Sequence, residues 1–137
     1  MVTITAEYLG DLHCRAVHQP SGAVLETDAP KDNHGRGEAF SPTDLCATAL
    51  LTCMATVMGL QARALGYDLA GLKMEVRKDM TSSPPRRIAA LEVLFHFPRP
   101  ADTAMRERLR QAAEGCPVHH SLSHDVAIRT TYHWPES

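Results

Sequence analysis

Two cysteines 63 positions apart, Cys53 and Cys116, are the residues of this 137-residue chain best suited to chemistry. Cys53 lies inside the apolar run Leu45-Cys46-Ala47-Thr48-Ala49-Leu50-Leu51-Thr52-Cys53-Met54-Ala55-Thr56-Val57-Met58. Cys116 belongs to Gly115-Cys116-Pro117-Val118-His119-His120-Ser121-Leu122, where one helix is expected to stop and another to start. A residue before proline is pushed out of the α region, so Cys116 is expected as an N-cap with amide N–H groups directed at it. A thiol in that setting should ionise more readily than usual. A second thiol, far off in sequence, is what a redox cycle needs to resolve an oxidised first one. Spacing alone leaves open whether the two sulfurs meet.

The other candidates are weaker. Cys46 and Cys53 are seven residues apart on one helix, about 10.5 Å along its axis. Disulfide Cα atoms lie within roughly 7 Å, so these two cannot pair with each other. Cys46 is expected as a small buried hydrophobe. Cys116 with His119 and His120 lacks zinc-ribbon spacing, and His13-Cys14 with His18 is no better, so no metal and no cofactor are expected. Neither Gly-x-Ser-x-Gly nor Gly-x4-Gly-Lys occurs in the chain. Arg15 and the run from Lys31 to Glu38 are the candidate cations for a thiolate.

The elements that must position these residues follow from pattern. Residues 2–9 and 12–18 read as a hairpin turning at Gly10-Asp11, with a third strand at 23–27. Residues 29–39 read as loop. Ser41-Pro42-Thr43-Asp44 then opens a helix, with Ser41 as N-cap, Pro42 at the first helical position and Asp44 closing a capping box. That helix should reach about Leu65 and stop at Gly66. It is apolar nearly all round, which predicts burial on every side, in the core or under a partner subunit. Strands follow at 72–80 and 87–97, helices at 102–114 and 116–122, and a last strand at 125–134. The order βββ-α-ββ-αα-β predicts an α+β fold with antiparallel sheets, one domain over 1–137.

Composition narrows the function classes. Apolar residues make up 44% and charged residues 22%, as in an ordinary globular protein. A formal net charge of −2 carries no electrostatic footprint for nucleic acid or an anionic membrane. The apolar stretch around 45–60 is interrupted by Thr48, Thr52, Thr56 and Gly59, so a core helix is expected rather than a membrane span. The first residues show no basic and apolar leader pattern. With four cysteines read as thiols, a reducing, cytoplasmic setting is expected.

The stretch Gly37-Glu38-Ala39-Phe40-Ser41-Pro42-Thr43-Asp44-Leu45, with Cys53 eight residues on, and the Cys116-Pro117-Val118 motif together resemble the OsmC/Ohr family. The resemblance extends over essentially the whole chain. It implies an intertwined homodimer with sheets wrapped around central helices. It also implies a peroxidase in which Cys53 attacks an organic hydroperoxide, or hydrogen peroxide, and Cys116 resolves the sulfenic acid to a disulfide. An external dithiol would then reduce that disulfide, giving an antioxidant, stress-related role. Arg15 is the nearest match to the arginine that assists the thiolate in such enzymes. The chain departs from the family pattern where a Glu usually follows the Ser-Pro or Asn-Pro at the helix start. Thr43 stands there, with Asp44 one position on and Glu38 in the loop. That departure leaves a second expectation, a non-catalytic stress-related protein of the same fold that binds a small apolar ligand.

Overall fold

A computed structural model describes all 137 residues, which group into two compact units, Met1–Cys46 and Ala47–Ser137. The division falls inside the long helix, just after Cys46.

In the first unit, β1 (Ile4–Gly10), β2 (His13–His18) and β3 (Val24–Asp28) form an antiparallel meander. The β1–β2 connection is tight because Gly10, Asp11 and Leu12 all take positive φ, at 89°, 52° and 60°. Register pairs Ala6 with Ala16 and Ala16 with Leu25, while Glu7 pairs with Arg15 and Arg15 with Glu26. Side chains alternate between faces along a strand. One face therefore carries Ile4, Ala6, Tyr8, Cys14, Ala16 and Leu25, and the other His13, Arg15, Glu7, Glu26 and Asp28. Several apolar residues of this unit are widely exposed, among them Ile4, Tyr8, Val24 and Leu25.

The loop after β3 contains one 3-10 turn, Lys31–Asn33, and leads to α1 (Pro42–Leu65). The predicted capping box is present. The Ser41 N–H donates to Asp44 Oδ2 at 2.9 Å, and the Asp44 N–H donates to Ser41 Oγ at 3.1 Å. The helix ends at Gly66 with φ 74°.

The second unit holds β4 (Lys73–Met80), β5 (Ile88–His96), α2 (Thr103–Glu114), α3 (Pro117–Ser121) and β6 (Ala127–His133). Its sheet has the order β4-β5-β6. Here the structure corrects one expectation. The other strand pairs are antiparallel, but β6 runs parallel to β5. A parallel neighbour needs a long crossover, and α2 with α3 provides it. The core gathers Ala47, Leu50, Met54, Met58 and Ala62 of α1 with Leu91, Val93 and Phe95 of β5, Leu109 and Ala113 of α2, and Cys116.

Within the single chain, α1 is buried along one face only. Its buried residues form one stripe at i, i+3 and i+4 spacing, whereas Cys46, Thr52, Thr56 and Leu60 are exposed. By length and composition α1 is able to cross a bilayer. Its stripe nevertheless belongs to a protein core.

Candidate functional site

Cys53 and Cys116 are brought together. Both lie in the second unit, Cys53 midway along α1 and Cys116 between α2 and α3. The two side chains are close enough that the Cys53 sulfur helps keep Cys116 protonated. All four cysteines are free thiols. Cys116 is fully buried and Cys53 half-buried, so solvent reaches the pair from the Cys53 side.

Local sequence explains the placement. Asp102 caps α2 by accepting the Met105 N–H at 2.8 Å, and α2 runs to Glu114 with Leu109 and Ala113 facing the core. Gly115 and Pro117 bracket Cys116, which takes extended backbone angles (φ −70°, ψ 151°) as the N-cap of α3. Its sulfur accepts the His119 N–H at 3.3 Å. The predicted cap geometry is therefore present.

Its predicted consequence is not. The Cys116 thiol is pushed above the ordinary thiol range, first by burial. The His119 amide opposes this, and the Cys53 sulfur raises it further. Desolvation penalises the thiolate more than the His119 and Val118 amides stabilise it. Cys116 is thus a protonated thiol at neutral pH, suited to donating a hydrogen bond or to reacting after its partner has changed.

Around Cys53, Leu50 and Met54 turn wholly into the core, and Val57, one turn further on, stays half-buried. Cys46, expected as a buried hydrophobe, is exposed instead. It sits on the arc of α1 opposite the buried stripe, which a helix apolar on all sides does not reveal in its sequence. No cluster of three or more His, Cys, Asp or Glu side chains has the arrangement to hold a metal ion. His119 and His120 pack edge to face with ring centroids 6.4 Å apart.

Arg15 belongs to the first unit. It is exposed on β2, with Glu7 of β1 and Glu26 of β3 in register on either side. Asp44 is engaged at the capping box, and Glu38 donates its backbone N–H to Asp28 at 3.1 Å. That last contact belongs to a polar cluster the sequence did not signal. The Asp28 side chain is 1% exposed and meets His13 Nδ1 at 2.6 Å and Arg36 at 3.6 Å. In sequence His13 stands beside Cys14 and close to His18, and β-sheet register is what sets it against Asp28.

Known proteins place the chain. No curated protein shows significant similarity to it. Its structure resembles that of a protein from Psychrobacter arcticus described as an osmotic stress induced and detoxification response protein. The two are 40% identical, with 97% of this chain and 96% of that one covered and a TM-score of 0.93. An OsmC like protein from Mycoplasma pneumoniae shares the fold at 19% identity, over 99% of this chain and 98% of that one, with a TM-score of 0.80. So does an organic hydroperoxide resistance protein, OsmC, from Legionella pneumophila, at 16% identity, 97% and 96% coverage and a TM-score of 0.76. The sequence pattern of the OsmC-like protein family matches residues 35–131, a span that takes in both Cys53 and Cys116. The chain belongs to the OsmC-like protein family.

Proposed function

We propose that the protein is a thiol-dependent peroxidase that reduces organic hydroperoxides through a Cys53–Cys116 cycle. The observation that carries this reading is that two free thiols 63 residues apart in sequence are brought beside each other, one buried and one partly open to solvent. In the first step the Cys53 thiolate attacks the outer peroxide oxygen. The O–O bond breaks, Cys53 becomes a sulfenic acid, and the alcohol leaves after taking up a proton. The Cys116 sulfur then attacks the sulfenic sulfur and water departs, leaving a disulfide. A small-molecule or protein dithiol supplies the two electrons that restore both thiols.

Difference in burial supports the division of roles. Half-buried Cys53 is open to a substrate, whereas buried, protonated Cys116 is held back until Cys53 has been oxidised. Apolar neighbours such as Val57 favour an alkyl or aryl peroxide over a small polar one. Arg15 is the proposed cation for the thiolate. Arg15→Ala should lower kcat/KM about ten- to hundredfold, the worth of one charge-assisted hydrogen bond. The proposed working form is a homodimer in the cytoplasm, a compartment that keeps thiols reduced.

The test is stoichiometric. Reduced protein is treated with one equivalent of cumene hydroperoxide, and its disulfides are mapped by mass spectrometry. A Cys53–Cys116 bond formed within seconds supports the cycle, and Cys53→Ser should then consume no peroxide. Thiols that stay reduced would favour a second reading, an OsmC-fold protein that binds a small apolar ligand without turnover. One observation favours that alternative: Thr43 stands at the usual Glu position, and the Asp44 carboxylate is occupied in capping α1.

A further inference from the structure

His13 is clamped at both ends of its ring. Nδ1 lies 2.6 Å from Asp28 Oδ1, and Nε2 lies 3.5 Å from Glu26 Oε1. An imidazole that faces carboxylates through both nitrogens satisfies both only as the cation, with two N–H donors. Asp28 is the hub of the arrangement. Its Oδ1 takes His13 and stands 3.6 Å from Arg36, and its Oδ2 accepts the Glu38 N–H at 3.1 Å.

These contacts tie the loop between β3 and α1 to the strands. The Asp28 N–H donates to Phe40 O at 3.2 Å, the Ala29 N–H to Leu12 O at 3.1 Å, and the Gly37 N–H to Ala29 O at 3.2 Å. Gly35 packs so closely on Ala29 that a Cβ there would stand 1.7 Å from Ala29 O. The remaining charged side chains of the loop, Lys31, Asp32, His34 and Glu38, are exposed. Arg15 and Glu7 share His13's face of the sheet. The 29–40 segment leads directly into the Ser41–Asp44 capping box.

We propose that His13 is a pH-responsive latch: its imidazolium, held between Asp28 and Glu26, fastens the 29–40 loop to β2 and β3, and loss of its proton loosens that loop. A neutral ring protonated on Nδ1 still donates to Asp28. Its Nε2 then turns a lone pair toward the Glu26 carboxylate, and buried Asp28 loses the nearer of its two cations, keeping only Arg36 at 3.6 Å. The direction of the linkage agrees. His13 is held above its ordinary value of 6.5, first by the hydrogen bond to Asp28, with burial opposing and Glu26 adding to the rise. Its stabilisation is therefore complete below pH 6.5 and is lost as pH climbs through the raised value. Asp28 is lowered from 3.8, chiefly by the same bond, so the latch also fails once acid protonates it. The latch is independent of what Cys53 does.

The experiment is amide exchange and histidine titration by NMR on the full chain. Protection of the Glu38 and Gly37 amides, corrected for base catalysis, should fall severalfold with rising pH, with the midpoint of the His13 ring. One proton limits the slope to about tenfold per pH unit. In His13→Gln the protection should be lower and flat over the same range. Flat protection in the wild type, or an unchanged fall in His13→Gln, would overturn the latch. A His13 midpoint at or below 6.5 would overturn it without any variant.

Discussion

At the scale of single residues, the four thiols differ by surroundings rather than by kind. Alkylation requires the thiolate and an approach path. Cys46 is exposed, while Cys116 is buried and held protonated. Iodoacetamide at pH 8 should therefore label Cys46 well before Cys116, in an order read by peptide mass spectrometry, and unfolding in urea should erase the difference. Tyr132 poses a separate question. Its ring stacks on Phe95 and Phe97, with centroids 5.7 and 6.3 Å away. Its buried hydroxyl meets no hydrogen-bond partner. Burial pushes that hydroxyl above the usual phenol range, with the Glu114 carboxylate adding to the rise and the Arg110 guanidinium opposing it. A buried donor without a partner gains little from being there. Tyr132→Phe should leave stability within about 1 kcal/mol of the wild type or above it, as measured by urea unfolding.

At the scale of elements, the start of α1 was legible because its signals are local. Ser41, Pro42 and Asp44 act within four residues of one another, so the cap could be written down from the chain. Ser41→Ala removes the acceptor for the Asp44 N–H and should cost about 1 kcal/mol, seen as a lower urea midpoint at unchanged slope. Element bounds came out within a few residues for the same reason. The direction of β6 was not legible. Its own sequence is compatible with either orientation, and only the path of α2 and α3 decides which applies. Likewise the cap at Cys116 was predictable from Pro117, but its effect on the thiol was not. Desolvation depends on what surrounds the sulfur, and those atoms come from distant parts of the chain.

At the scale of the molecule, the meander of the first unit leaves an uncovered apolar face. Ile4, Tyr8 and Leu25 are 65%, 62% and 46% exposed, and with Ala16 and Ala23 two of them, Ile4 and Leu25, line a shallow apolar groove. An exposed face of that kind marks an association surface. The proposed homodimer would cover it with a second copy. Leu25→Asp places a charge in the middle of the face and should shift the protein from dimer to monomer in sedimentation velocity. A wild type that sediments as a monomer would remove the dimer from the functional proposal.

Sequence alone determined the order of elements, the capped start of α1, the break at Gly115-Cys116-Pro117 and the family motifs, all of which rest on neighbours along the chain. Tertiary structure decided which thiols touch, which face of α1 is buried, which way β6 runs and that His13 meets Asp28. Each of these depends on side chains between 15 and more than 60 residues apart in sequence. Their encounter depends on packing and sheet register, and no local pattern of residues carries that information.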